Sequence, residues 1–320
     1  MGNPSDGYFG KTVSLIVKDF YAEAILYEWE DVELVLSQED HSRFRTIADL
    51  YRDVELHGYY GGIRLVKATI KKFIEYCRSE QLSLHDRKFS IRYESNIPRA
   101  VGLAGSSGII VATLRALMKF YGVSIPIHVQ PSLVLSVEND ELGIAGGLQD
   151  RVIQVYEGLV YMNFARESMV HAHGYLCGQY EALDPALLPP IYIAYSTEAG
   201  NPTEVQHVPL RARWNQGDPQ VIDAMKQFAD LAEQAKDAIQ DQDAERLAAL
   251  INANFDLRRA LVPLPSNQLE MVETARAAGA SAKFAGSGGA IVGTYRDDAM
   301  YRELVARLAA INCRVLRPIY

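Results

Sequence analysis

The sequence predicts a mixed α+β protein built in two halves, and three observations carry that prediction. At 320 residues and 35.6 kDa the chain is longer than one hydrophobic core usually serves. Short β-branched and aromatic runs are interleaved with stretches of helical period throughout. The texture then changes at Pro189-Pro190, after which Ala-, Gln- and Asp-rich helical segments dominate. These features place a boundary near residue 185 and divide the chain into residues 1–185 and 186–320.

In the first half, a loop-like opening from Gly2 to Gly10 precedes predicted strands over Lys11 to Asp19, Ala22 to Trp29 and Val32 to Leu36. His57 to Ser79 carries Ile63, Val66, Ile70, Phe73 and Ile74 at helical spacing, so it is predicted as an amphipathic helix. Lys88 to Tyr93 alternates as a strand. A Gly/Ser-rich turn follows, then a mostly buried helix over Ile109 to Phe120. Pro131 to Leu142 is a further helix ended by Gly143, and Gly158 to Phe164 a short apolar strand. In the second half, Ile191 to Tyr195 is a buried-strand candidate. Pro219 to Leu261 is predicted as two helices broken near Asp241-Gln242-Asp243. Leu269 to Ala278 is a helix stopped by Gly279, and Ala282 to Tyr295 two strands around a glycine turn. Asp297 to Ile311 and Cys313 to Leu316 complete the chain as helix and strand.

Composition narrows the function classes. A formal charge of −8 argues against a broad nucleic-acid surface, because phosphate backbones are bound by clustered Lys and Arg. No segment is long and apolar enough to span a bilayer and no signal peptide is visible, so the expected location is the cytoplasm, with no membrane partner. Cys77, Cys177 and Cys313 show no CxxC spacing, as expected of thiols in a reducing compartment. The expected assembly is a monomer or homodimer.

Four features carry chemistry. Pro98-Arg99-Ala100-Val101-Gly102-Leu103-Ala104-Gly105-Ser106-Ser107-Gly108 lies between a predicted strand and a helix. Its small residues let the backbone approach an anion, and the following helix offers unpaired N–H groups and the positive end of its dipole. It lacks the Lys-Ser/Thr pair of a Walker loop, and a tight packing turn is the lesser alternative for it. Gly143-Ile144-Ala145-Gly146-Gly147-Leu148-Gln149-Asp150-Arg151 places glycines before Asp150, which suits either a proton acceptor or a helix N-cap. Lys283-Phe284-Ala285-Gly286-Ser287-Gly288-Gly289-Ala290 is a second small-residue turn, sufficient as a hairpin. Glu138 sits on the helix ending at Gly143, where a lone acid usually faces solvent unless a metal lies beside it.

Occurring together and in this order, with the Gly2-Asn3-Pro4-Ser5-Asp6 opening before them, these blocks resemble the GHMP kinase superfamily. Its three motifs are a Gly-x-x-x-Asp-type turn, a Pro-x-x-x-Gly-Leu-x-x-Ser-Ser loop and a Gly-x-Gly-Gly turn, and they span nearly the whole chain. The run from Glu138 to Met162, with Tyr8-Phe9-Gly10, is similar to the glucuronate-phosphorylating branch.

That resemblance implies a two-domain α+β fold. The N-terminal half would be like ribosomal protein S5, the C-terminal half ferredoxin-like, and the nucleotide would lie in the cleft. It implies an ATP- and Mg2+-dependent sugar 1-kinase acting on the anomeric hydroxyl of glucuronate. The alternatives are a kinase of a heptose phosphate, galacturonate or neutral hexose, or a homologue that binds nucleotide or sugar without turnover. Gly102, Leu103, Ala104, Gly105, Ser106, Ser107 and Gly108 would wrap the ATP phosphates. Ser107 and Glu138 would hold magnesium, and Asp150 would be the catalytic aspartate. Asp6 would bind sugar hydroxyls, and Gly286, Ser287 and Gly288 would border the substrate. Family members carry a strand before the first motif, with an Arg or Lys near the catalytic aspartate. Because this chain starts at Met1-Gly2, that strand and cation are expected to be missing, Lys11 and Arg151 being near in sequence but outside the motif position. A sugar acid also needs a cation, ideally a bidentate arginine, and Arg64, Arg99, Arg151, Arg211, Arg213 and Arg258 remain candidates.

Overall fold

The computed structural model describes residues 1–35, 61–99, 101–197 and 207–320. Strand β1 (Lys11–Leu15) follows a short 3-10 turn at Ser5–Tyr8. Strand β2 (Ala22–Trp29) pairs antiparallel with β4 (Lys88–Ser95) along its full length, and β3 (Glu33–Leu34) adds to β4 in parallel. Helix α2 (Gly105–Tyr121) lies on β2, and α1 (Gly62–Ser79) packs on α2. Helix α2 is apolar nearly all round, as a helix sandwiched between other elements must be. Its Ile110, Leu114 and Leu117 meet Phe73 of α1, Ile91 of β4 and Leu133 of α3 (Gln130–Ser136) in one fully buried cluster.

A second sheet is antiparallel, with β5 (Leu159–Asn163) between β1 and β8 (Gln179–Leu183). Its period-2 alternation serves two cores at once. Val160 and Met162 face Val152 and Ile153 of α4 (Gln149–Tyr156). Val13, Leu159, Tyr161 and Leu183 meet Ala235 and Ile239 of α6 (Pro219–Gln240) and Leu247 and Ile251 of α7 (Ala244–Leu261). Strands from the first half of the chain thus share a core with helices from the second. Between β5 and β8, β6 (Val170–Ala172) and β7 (Tyr175–Cys177) form a small hairpin.

The remaining sheet is antiparallel in the order β10-β11-β9-β12, from β9 (Ile191–Ser196), β10 (Lys283–Phe284), β11 (Ala290–Thr294) and β12 (Cys313–Leu316). Helices α8 (Ser266–Ala277) and α9 (Asp298–Ala309) bury Val272, Leu304 and Leu308 against Tyr192 and Ile291 of this sheet. Helix α5 (His207–Asn215) precedes α6 and sends Leu210 into a cluster with Tyr8 and Phe228. Residues distant in sequence are tied together. Gly2 N–H donates to Asn254 Oδ1 (2.8 Å), Lys18 N–H to Ile319 O (2.7 Å), and Ile319 N–H to Asp19 Oδ2 (2.8 Å).

Several boundaries differ from the sequence reading. The strand expected over Lys11 to Asp19 ends at Leu15, and the one over Val32 to Leu36 shrinks to two residues, Leu36 lying outside the described residues. The helix expected from His57 begins at Gly62; His57 to Tyr60 are outside the described residues. Helix α2 starts four residues earlier than expected, so Gly105 to Gly108 form its first turn. The helix expected over Pro131 to Leu142 changes at Val137–Glu141 into a π-helical turn. Strands β6 to β8 and helix α5 were not expected: β8 reads Gln-Tyr-Glu-Ala-Leu, and α5 carries Pro209 in its first turn.

Candidate active site

The central loop turns through Gly102 (φ +70°) and Ala104 (φ +56°) before entering α2. Ala104 is the N-cap and its side chain caps nothing, so the first N–H groups of α2 face outward with the positive end of the helix dipole. Ser106 and Ser107 sit in this first turn. Their hydroxyls point at one carboxylate: Ser106 Oγ lies 2.7 Å from Glu138 Oε1, and Ser107 Oγ 3.5 Å from Glu138 Oε2.

Glu138 is 0% exposed, so it is not a solvated helix acid. It lies on the π-helical turn, whose extra residue per turn re-aims side chains and often marks functional sites. The backbone closes behind it through Ile144 N–H to Glu138 O (2.7 Å). A buried carboxylate needs a cation, and Arg151 supplies it: Nε donates to Glu138 Oε2 at 2.6 Å and Nη2 pairs with the same oxygen. Arg151 Nη1 also donates to Gly147 O (2.9 Å) and lies 3.7 Å from Asp150 Oδ2. The guanidinium therefore links Glu138 to Asp150. Lys11 pairs instead with Glu233 (2.7 Å).

Asp150 is the second residue of α4, whose N-cap is Leu148; the N-cap reading of Asp150 does not hold. Its side chain is 40% exposed. Asp6, brought from the first motif, accepts the Gln149 N–H at 3.2 Å. The contact dictates a glycine: a Cβ on Gly147 would lie 1.9 Å from Asp6 Oδ2. Burial and the charge of Asp150 push the Asp6 carboxyl up to about 6, against the pull of Gln149 N–H and Arg151. Burial also raises Asp150, with Glu138 adding to the rise and Arg151 opposing it. A carboxyl held at about 6 by burial and by Asp150, beside the raised and ligand-accessible Asp150, forms an acid–base pair suited to a hydroxyl proton near neutral pH.

The C-terminal turn meets the central loop directly. A Cβ on Gly102 would lie 2.9 Å from Gly288 O, and one on Gly286 2.6 Å from Gly102 O. The turn is held from behind by Arg258 of α7, which donates to Gly286 O (2.9 Å), Ser287 O (3.0 Å) and Asn3 Oδ1 (3.0 Å). One buried guanidinium thereby joins the first and third motifs, and burial lowers its pKa to about 10. Lys283 is 3% exposed, and burial, then the Arg258 charge, lowers its ammonium to about 7.

The structure thus gathers Ser106, Ser107, Glu138, Asp150 and Asp6, and sets Gly102 against Gly286 and Gly288. Sequence reasoning missed Gln149, whose amide N–H holds Asp6 while its Oε1 is buried without a hydrogen-bond partner among the described residues. It also missed the roles of Arg151, Arg258 and Lys283. The signal for Arg151 was present, as a cation adjoining an acid in a glycine-rich segment; for Arg258 no local signal existed. Among the described residues no three His, Cys, Asp or Glu side chains cluster as a metal cage. The Glu138 carboxylate with the two serine hydroxyls is the sparse oxygen set that suits Mg2+, which keeps waters and shares nucleotide phosphates.

Two family models match this chain: the N-terminal domain of GHMP kinases over residues 64–158 and the C-terminal domain over 235–310. The chain is 43% identical over 301 residues to Glucuronokinase 1 of Arabidopsis thaliana, covering 91% of this chain and 81% of that protein. It is 45% identical over 300 residues to Probable glucuronokinase 2 of the same plant, covering 91% and 80%. Among solved structures, Lactococcus lactis galactokinase complexed with galactose superposes with a TM-score of 0.74 at 16% identity, over 99% of this chain and 90% of that one. The first model spans Ser106, Ser107, Glu138 and Asp150 and the second Gly286 and Gly288, and the chain belongs to the GHMP kinase family.

Proposed function

We propose that this protein is an ATP-dependent kinase that phosphorylates the anomeric hydroxyl of D-glucuronate, giving glucuronate 1-phosphate and ADP. One observation carries the reading: the likeness to two plant glucuronokinases, at 43% and 45% identity, runs through 91% of the chain. Residues 1–185 supply the nucleotide cradle and residues 186–320 close it. The N-terminus of α2 and Gly102, Leu103, Ala104, Gly105, Ser106, Ser107 and Gly108 hold the phosphates through backbone N–H groups and the helix dipole. Ser107 and Glu138 would hold Mg2+, which would supply charge neutralisation on the phosphates. Gly286, Ser287 and Gly288 stiffen the cradle from the other side and border the substrate.

In the reaction, Asp150 accepts the proton of the sugar hydroxyl as its oxygen bonds to the γ-phosphorus. The bond from that phosphorus to the β–γ bridging oxygen breaks, and ADP leaves with the electron pair. Asp6 holds neighbouring hydroxyls, and Arg151 keeps Asp150 in place while compensating Glu138. Little covalent chemistry is asked of the protein, because positioning and charge compensation supply most of the acceleration. The free, buried state of the three thiols supports a cytoplasmic setting.

The test is an ADP-release assay with glucuronate, galacturonate, galactose and heptose phosphates. Glucuronate is expected to give the highest kcat/KM, and Asp150→Asn to lower kcat by about 10²–10⁴-fold with ATP binding retained. Preference for another sugar overturns the substrate assignment, and full turnover by Asp150→Asn overturns the role of Asp150.

A further inference from the structure

A sugar acid bound beside Asp150 brings a carboxylate whose water must be replaced by a cation. Most arginines of the cleft already have polar partners. Arg151 is paired with Glu138, and Arg258 holds Asn3, Gly286 and Ser287. Arg213 donates to Asp218 (2.8 Å), Gln220 (3.1 Å) and Leu261 O (3.1 Å). Arg64 and Arg99 are also engaged.

Arg211 differs. It is exposed on α5, and among the described residues its guanidinium makes no hydrogen bond or ion pair. It sits over the loop that carries Asp6, with Cζ 4.3 Å from the Tyr8 ring centroid. A Cβ on Gly7, the neighbour of Asp6, would sit 3.0 Å from Arg211 Nη2. The Tyr8 ring is itself buried and packed on Trp214 at 5.0 Å, so it is a fixed platform. Burial raises the Tyr8 phenol, Arg211 pulls it back and Asp6 pushes it up, which puts both charges within reach of one ring.

We propose that Arg211 binds the carboxylate of the sugar acid and makes the enzyme selective for it; this rests on the glucuronate reading above. In a hexuronate the anomeric carbon and the carbon bearing the carboxylate flank the ring oxygen. A sugar with its anomeric hydroxyl at Asp150 therefore presents its carboxylate on the same edge of the ring, across the ring oxygen. The loop offers the groups such a ring needs: Asp150 for the anomeric hydroxyl, Asp6 for other hydroxyls, and Arg211 against Gly7 for the carboxylate. The absence of a Cβ at Gly7 leaves room for the guanidinium beside the Asp6 loop, and its N–H fork, without a hydrogen-bond partner among the described residues, is available for a two-point contact.

The test measures KM and kcat for glucuronate and KM for ATP in wild type, Arg211→Ala, Arg211→Lys and Arg166→Ala. Arg166 is the control, stacked on Phe9 at 3.9 Å, on the same loop but further from Asp6 in the chain. Arg211→Ala is expected to lower kcat/KM for glucuronate roughly 30- to 150-fold, mainly through KM, as for loss of a charge-assisted pair. The KM for ATP should stay within about twofold, and added guanidinium ion should restore part of the loss. Arg211→Lys should recover only part, since an ammonium lacks the fork. Arg166→Ala should match wild type. If wild type phosphorylates glucuronate and Arg211→Ala keeps its KM, or if the KM for ATP rises equally, the assignment of Arg211 is wrong. If wild type does not phosphorylate glucuronate at all, the substrate reading fails and takes this assignment with it.

Discussion

Asp6 shows how one residue records its surroundings. Its carboxyl is pushed to about 6, above the ordinary range near 4, by burial and by Asp150. The sign of the consequence follows from proton counting. Between about pH 4 and 6 the native chain holds a proton on Asp6 that the unfolded chain has lost. The contribution of Asp6 to stability therefore falls as pH rises through that window and is flat above it. Asp6→Asn is expected to flatten the slope and to raise Tm at pH 7 by roughly 2–5 °C, while weakening sugar binding. Scanning calorimetry of both proteins from pH 4 to 8 checks it; parallel Tm profiles would show that Asp6 is not the titrating group. Gly147 is the counterpart. Its missing Cβ gives Asp6 its place, so Gly147→Ala should lower kcat/KM for the sugar at least tenfold with the KM for ATP little changed. None of this is visible in the sequence, because Asp6 and Gln149 are 143 residues apart and no local window contains both.

Among elements, legibility followed the local signal. Strands β2, β4 and β9 are rich in β-branched and aromatic residues and were read from sequence, as were α6 and α7 with the break between them. Strand β8 was hidden because its sheet face carries Gln179 and Glu181, and α5 because Pro209 reads as a breaker when it occupies a first turn, where no N–H is needed. The π-helical turn at Val137–Glu141 was beyond pattern reading altogether, though it sets the aim of Glu138. The two glycine turns were read singly; their contact was not. Gly286→Ala places a methyl 2.6 Å from the Gly102 carbonyl oxygen. It is expected to cost about 1–3 kcal/mol in stability and to raise the KM for ATP, because the phosphate loop must move to make room. Urea unfolding together with ATP titration measures both effects; an unchanged KM for ATP would mean that the cradle does not depend on this buttress.

At the scale of the whole molecule, the β1-β5-β8 sheet is shared. One of its faces packs on α4, and the other on α6 and α7 from beyond the Pro189-Pro190 junction. Two halves joined by an apolar core of this kind should unfold together. The chain has two tryptophans, Trp29 on β2 and Trp214 on α5, one in each half. Single-tryptophan variants, Trp29→Phe and Trp214→Phe, are expected to report the same denaturant midpoint by fluorescence. Midpoints separated beyond error would show that the halves melt independently. The shared core and the Arg258 bridge also govern how the protein is made. A ribosome delivers Gly2, Asn3 and Asp6 first and Ser287 last, yet Arg258 ties the earliest of these to the latest. From the completion of α2 until residues 286–288 are made, the nascent chain has this helix without the turn that meets its leading loop. The two glycine turns can therefore meet only when nearly all of the chain has been made, so the assembled site belongs to the finished polypeptide and not to its first half.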